Sequence, residues 1–112
     1  MRSPVEVVQA QLDAYNAQNL DGFCACFADD CVMGEFNGAV ATSGKPAIRA
    51  RYQALFAEFP KNRAQLINRI AVGDVVIDHE DIERAPGNRF LMAMIYTVKN
   101  GLIARADAVR EH

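Results

Sequence analysis

The sequence predicts a single α+β domain in which three helices pack on one face of a curved antiparallel sheet. Helical periodicity is confined to residues 1–60, strand-length apolar stretches follow one another afterwards, and turn dipeptides separate these stretches. The chain has 112 residues, of which 51% are hydrophobic and 23% charged, and this composition is typical of a folded protein. We therefore expect one domain spanning residues 1–112.

Helix signals define the first half of the chain. Ser3 and Glu6 have the spacing of a capping box, so a first helix is predicted to run to about residue 18. A short second helix is predicted over residues 19–30, ending at a pair of aspartates. A third, over residues 45–59, begins after a Ser-Gly pair and ends before a proline.

Turn chemistry predicts six strands. Residues 31–36 and 39–42 flank Asn37 and Gly38, which favour a hairpin turn. The remaining strands should form an antiparallel meander and are predicted at residues 65–72, 75–83, 89–98 and 102–110.

The strand at 89–98 is apolar at nearly every position, which predicts that both of its faces are buried. Three helices of this length cover one face of the sheet. We therefore expect a homodimer that covers the other.

Charge and cysteine content exclude several classes of protein. The net charge is -2 and the 12 lysines and arginines are scattered, which is not typical of proteins that bind nucleic acid or membrane surfaces. Residues 1–6 lack the features of a signal peptide, so a cytoplasmic location is predicted. The three cysteines, Cys24, Cys26 and Cys31, are interpreted as core residues, with a thiol nucleophile as the less favoured alternative.

Two segments carry a family resemblance. Residues 16–30, with the sequence NAQNLDGFCACFADD, and residues 43–49, with the sequence SGKPAIR, resemble the SnoaL-like group of the nuclear-transport-factor-2-like superfamily. Ketosteroid isomerase belongs to the same superfamily. The resemblance implies a cone-shaped domain whose bent sheet wraps around the long N-terminal helix. It also implies a mostly apolar pocket at the open end, and dimerisation through the outer face of the sheet.

The resemblance places the three isomerase roles on Glu35, Gln11 and Met94. Glu35 corresponds to the carboxylate that shuttles the proton, and it is the right type of acid. Gln11 replaces the tyrosine that donates a hydrogen bond to the enolate oxygen, and Met94 replaces the protonated aspartate. Because two of the three roles are altered, we do not expect ketosteroid isomerase activity itself.

The segment 77–81 contains four ionisable residues in five positions. Strand alternation puts Ile77, His79 and Asp81 on one face, and the resemblance turns that face toward the pocket; a slip of one residue would reverse it. His79 beside Asp81 and opposite Glu35 would then form a titratable cluster suited to acid–base catalysis. The alternative is that the segment faces solvent or a dimer interface.

That alternative is favoured for Asp78 and Glu80, because charged side chains are seldom buried. His79, Asp81 and Glu35 are the available metal ligands, and one histidine with two carboxylates is a weak ligand set. Neither a metal nor a cofactor is therefore predicted.

The sequence leaves two main functions open. One is a cofactor-free isomerase, cyclase or hydrolase that transfers a proton on an apolar, oxygen-bearing small molecule, with Glu35, His79 and Asp81 as the catalytic residues. The other is a non-catalytic module that binds an apolar ligand or dimerises, with or without an open pocket. The residues predicted to line the pocket are Gln11, Tyr15, Phe27, Met33, Tyr52, Ile77 and Met94.

Overall fold

The computed structural model describes residues 1–111, so His112 lies outside it. The described chain folds into three helices and one six-stranded sheet. The helices are α1 (Pro4–Asn16), α2 (Leu20–Cys24) and α3 (Lys45–Glu58). The strands are β1 (Phe27–Glu35), β2 (Val40–Ser43), β3 (Arg63–Val72), β4 (Val75–Ala85), β5 (Asn88–Lys99) and β6 (Leu102–Arg110). Within residues 1–111, no helix is long and apolar enough to cross a membrane.

Side-chain caps begin the first two helices. Ser3 Oγ accepts a hydrogen bond from the backbone N–H of Glu6 at 3.2 Å, and the Glu6 carboxylate accepts from the Ser3 N–H at 2.8 Å. This reciprocal pair is the predicted capping box. Asn19 caps α2, because its Oδ1 accepts from the N–H of Gly22 at 3.0 Å.

The strands are arranged in the order β2-β1-β6-β5-β4-β3. The predicted hairpin joins β1 and β2, and the predicted meander runs from β3 to β6. All neighbours are antiparallel except β1 and β6, which are parallel. The meander begins at the far edge of the sheet and ends beside β1, so β6 joins the hairpin to the meander.

The aspartate pair does not end the second helix as predicted. Helix α2 ends at Cys24, and Asp29 and Asp30 lie exposed within β1. Phe27 is fully buried and is paired with Ile103 of β6. Pairing with a strand distant in sequence therefore draws this segment into the sheet, although its local composition disfavours a strand.

An aromatic cluster forms the centre of the core between the helices and the sheet. Its members are Tyr15, Phe23, Phe27, Tyr52 and Phe56, and the ring centroids of Phe23 and Tyr52 lie 4.5 Å apart. The three cysteines are buried free thiols around this core, as predicted. Burial raises the pKa of Cys31 to about 12, which disfavours the thiolate that a nucleophile needs.

Asn16, the last residue of α1, attaches this helix to the sheet. Its side-chain amide donates to the carbonyl oxygen of Ala64 at 2.9 Å and accepts from the Ala64 N–H at 2.8 Å. Since Ala64 belongs to β3, the helix is fixed across the inner face of the sheet. This crossing leaves space between α1, α3 and the sheet.

Replacing Phe23 with alanine tests the importance of the aromatic cluster. Because Phe23 has no exposed surface, we expect Phe23→Ala to lower the free energy of unfolding by about 3–5 kcal/mol in urea denaturation. Phe36→Ala is the matched control, since Phe36 is 53% exposed and its loss should cost about 0.5 kcal/mol or less. Equal losses for the two variants would contradict the assignment of the core.

Candidate functional site

A cavity of about 270 Å³ lies between α1, α3 and the inner face of the sheet. Its wall is mostly built from apolar and small side chains, including Ala106 and Ala108 of β6. Of the residues predicted to line a pocket, the structure places these in the cavity wall: Gln11, Tyr15, Met33, Tyr52 and Met94. Phe27, which was also predicted there, packs in the core instead.

Glu80 is the buried acid of the cavity wall. Its residue surface is only 5% exposed, and none of the side-chain hydrogen bonds among residues 1–111 involves its carboxyl group. Burial, with a contribution from the nearby Asp78 carboxylate, raises the pKa of Glu80 to about 7. At neutral pH, both protonation states are therefore populated, as acid–base catalysis requires.

Asp78 and Arg69 form a buried ion pair beside Glu80. Arg69 Nε and Nη2 donate to the two carboxylate oxygens of Asp78 at 2.7 and 2.9 Å, while Nη1 donates to Gln9 of α1 at 2.8 Å. Asp78 has no exposed surface, and this two-point pairing supplies hydrogen bonds to both of its carboxylate oxygens inside the fold. Arg69 lowers the pKa of Glu80, but burial and Asp78 outweigh it.

Glu35 also lines the cavity, but it is already engaged. Arg110 Nε donates to Glu35 Oε1 at 2.8 Å, and the Glu35 side chain is 41% exposed. The pair lies where β1 and β6 run side by side. Glu35 is therefore a partly solvated, ion-paired carboxylate at the edge of the cavity, unlike the enclosed Glu80.

The prediction that the face of β4 with Ile77, His79 and Asp81 lines the pocket is wrong, because the strand is shifted by one residue. His79 is exposed on the outer face of the sheet, and Asp81 on the same face forms an ion pair with Arg89. Ile77 also lies on that face and does not line the cavity. The structure therefore does not bring His79 and Asp81 together with Glu35, and no triad or metal site forms from them.

The inward face of β4 contains Val76, Asp78, Glu80 and Ile82. Sequence reasoning placed these two carboxylates at the surface because such groups are seldom buried. The sequence did contain a signal that this face is inward. Val76 and Ile82 lie on the same face as the two acids, one on each side of them. That face carries two β-branched apolar residues, whereas the opposite face carries only Ile77 within the same span.

Stability measured against pH tests the buried carboxyl of Glu80. The unfolded chain releases this proton near pH 4.5, whereas the folded protein holds it to about pH 7. The contribution of Glu80 to the free energy of unfolding is therefore fully present below pH 4.5, and it declines by about 3 kcal/mol as the pH rises to 7. We expect urea unfolding of Glu80→Gln to lack this decline.

The matched control is Glu83→Gln, which changes a carboxyl group on the outer face of the same strand. This variant should keep the decline of the unmodified protein. The same decline in Glu80→Gln as in the unmodified protein would show that Glu80 is not the group responsible.

Comparison with known proteins places this geometry in a family. The sequence model of the SnoaL-like domain matches residues 8–106. An uncharacterised cystatin-fold protein of Novosphingobium aromaticivorans is 28% identical, with a TM-score of 0.93 over 98% of this chain and 100% of that one.

A protein of Sinorhizobium meliloti named "putative polyketide cyclase" is 26% identical, with a TM-score of 0.80 over 93% of this chain and 94% of that one. A protein of Catenulispora acidiphila with a ketosteroid isomerase-like fold is 19% identical, with a TM-score of 0.79 over 98% of this chain and 88% of that one. No protein with a curated functional description matches the sequence. The family match over most of the chain shows that this protein belongs to the SnoaL-like domain family.

Proposed function

We propose that this protein is a cofactor-free enzyme, an isomerase, cyclase or hydrolase, that transfers a proton on an apolar, oxygen-bearing small molecule. The observation that carries the proposal is the Glu80 carboxyl group, which is buried in the wall of the cavity and has a pKa raised to about 7. The role that the family resemblance implied for Glu35 therefore passes to Glu80.

The proposed chemistry begins at the carbon beside a carbonyl group. The Glu80 carboxylate removes a proton from this carbon, and the electron pair moves onto the carbonyl oxygen as an enolate. The Gln11 amide, which also lines the cavity, donates a hydrogen bond to that oxygen. Protonated Glu80 then returns the proton to the same or another carbon. In a cyclisation, the enolate carbon instead attacks a second carbonyl group, and protonated Glu80 gives its proton to the alkoxide that forms there.

The raised pKa favours Glu80 as the base. A carboxylate with an ordinary pKa of 4.5 is a weaker base, whereas a value of about 7 combines basicity with substantial ionisation at neutral pH. The name of the Sinorhizobium meliloti relative is consistent with chemistry of this class.

Deuterium exchange into 2-tetralone, an apolar bicyclic ketone, tests the proposal. In D2O we expect the protein to accelerate exchange at the carbons beside the carbonyl, with a rate that rises as the pH passes through about 7. Glu80→Gln should lower the accelerated rate by about 100-fold or more, because the base is removed. Proton NMR measures the exchange directly.

Two further variants complete the experiment. Glu83→Gln is the matched control and should retain the exchange rate of the unmodified protein. Glu35→Gln should also retain most of it, since Glu35 is held by Arg110. If Glu35→Gln lost the activity while Glu80→Gln kept it, the base would be Glu35.

A non-catalytic binding module is the second candidate, and the cavity wall favours it in one respect. Met33, Met92 and Met94 line the cavity, and methionine side chains adapt to ligands of different shape. A binding module should accelerate no exchange. Its affinity for 2-tetralone should survive Glu80→Gln and be lost in Ala106→Phe, which fills the cavity.

We also propose that the outer face of the sheet contacts a second copy of this chain. Ile70, Ile77 and Ile95 are directly opposite one another on three neighbouring strands, and Leu91 on the same face is 41% exposed. Such a row of apolar side chains is costly to leave in water. The homodimer predicted from the sequence would cover it.

Sedimentation velocity tests the dimer. We expect a dimer for the unmodified protein and a monomer for Ile77→Arg, which puts a charge in the middle of the apolar row. Val40→Arg is the control, because Val40 is 54% exposed on the edge strand β2. A monomeric unmodified protein would refute the proposal.

A further inference from the structure

We propose that the cavity binds its ligand by a carboxylate group, which Arg84 and Tyr15 hold at a distance along β4 from Glu80. The inference rests on the proposed function only in taking the cavity as the ligand site, and it names the class of ligand. The ligand is an apolar acid with its carboxylate at one end and its reactive carbonyl at the other.

The arginines on the inner side of the sheet differ in their partners. Arg69 and Arg110 each form an ion pair with a carboxylate, Asp78 and Glu35 respectively. Arg84 lines the same cavity, and within residues 1–111 it forms no ion pair. A half-buried guanidinium without an anion leaves a positive potential directed at the cavity.

Arg84 has only neutral hydrogen-bond partners. Its Nη1 lies 3.4 Å from Tyr15 Oη and 3.3 Å from Asn62 Oδ1, both long contacts. A guanidinium carries five N–H donors in a planar fork, so donors remain for a ligand. The geometry therefore leaves room for a carboxylate to form the short, charge-assisted contacts that are missing.

The guanidinium is held in place before any ligand binds. It lies 5.8 Å from the ring centroid of Phe59 and 5.1 Å from that of Phe90. Arg84 is also the extra residue of a β-bulge, since Glu83 pairs with Arg89 and Ala85 with Asn88. Bulges redirect side chains and are enriched beside binding sites. A fixed cation loses less freedom on binding than a mobile one does.

Tyr15 supplies the second donor. Its hydroxyl oxygen accepts the contact from Arg84, which leaves the O–H free to donate, and the residue lines the cavity. Together, the guanidinium and the hydroxyl can contact both oxygens of one carboxylate. Gln11 remains for the carbonyl oxygen of the proposed reaction.

The spacing along β4 separates the two ends of the ligand. Arg84 lies four residues after Glu80 on the same face, which corresponds to about 13 Å along an extended strand. Within residues 1–111, Arg84 and Glu80 form no hydrogen bond and no ion pair with each other, so each can contact a different part of one ligand. The ligand therefore has to be long enough to reach from one group toward the other.

Two probes that differ in charge but hardly in shape test the inference, namely 2-naphthylacetate and its neutral amide, 2-naphthylacetamide. Isothermal titration calorimetry at pH 7.5 and low salt gives both affinities. We expect the unmodified protein to bind the acid at least tenfold more tightly, the scale of one charge-assisted contact. Arg84→Met should bind the two probes equally, and Arg84→Lys should keep part of the preference.

Arg89→Met is the matched control, because it removes one positive charge from the outer face and should keep the whole preference. Glu80→Gln should also keep it, so failure of the proton-transfer proposal and failure of the carboxylate proposal remain distinguishable. Equal affinities for the two probes, or no binding of either by the unmodified protein, would overturn the carboxylate site. So would a preference that persists in a folded Arg84→Met protein. Arg51 of α3 also lines the cavity and donates to Thr42 Oγ1 at 3.0 Å, and a preference that disappears in Arg51→Met instead would likewise overturn the assignment to Arg84.

Discussion

Two carboxylates on one face of β4, beneath α1, impose the main constraint on this structure. Asp78 and Glu80 are both buried, and only Arg69 is close enough to compensate them. Arg69 donates to Asp78 through Nε and Nη2 and to Gln9 through Nη1, and the contact with Gln9 also attaches β3 to α1. Burial and the nearby charge of Asp78 therefore raise the pKa of Glu80 to about 7, because its carboxyl group has no cation of its own. The pairing of Arg69 with Asp78 thus leaves Glu80 without an ion pair of its own among residues 1–111.

The inner face of the sheet has a packed part and an open part, and the cavity is the open part. The aromatic cluster around Phe23 fills the space between α1, α2 and α3. Further along the sheet, the small side chains of Ala106 and Ala108 leave space at the cavity wall, while the hydrogen bonds of Asn16 fix the end of α1 to β3. Packing at one end and small residues at the other place Glu80 at the boundary between core and cavity.

The elements were predictable because their signals are local. The capping box at Ser3 and the turn at Asn37 depend on a few neighbouring residues, and both formed as expected. The start of β1 and the inward face of β4 depend on pairing with strands distant in sequence. Alternation along 77–81 fixes which residues share a face but not which face is inward. Identifying Glu80 as a cavity residue required knowing which face of β4 is inward, because a shift of one residue puts His79 on the inner face in place of Glu80.

Glu80 and Arg84 differ from the charged side chains near them because neither forms an ion pair within residues 1–111. Asp78 is matched by Arg69 and Glu35 by Arg110, so these four side chains form a closed set of ion pairs. Glu80 and Arg84 have opposite charges and share one face of β4, yet they do not neutralise each other. On an extended strand their Cα atoms lie about 13 Å apart, and within residues 1–111 the two side chains form no ion pair. In the proposed site, each group contacts a different part of one ligand, Glu80 as the group that exchanges a proton and Arg84 as a permanent cation, and their separation would set the length and polarity of that molecule.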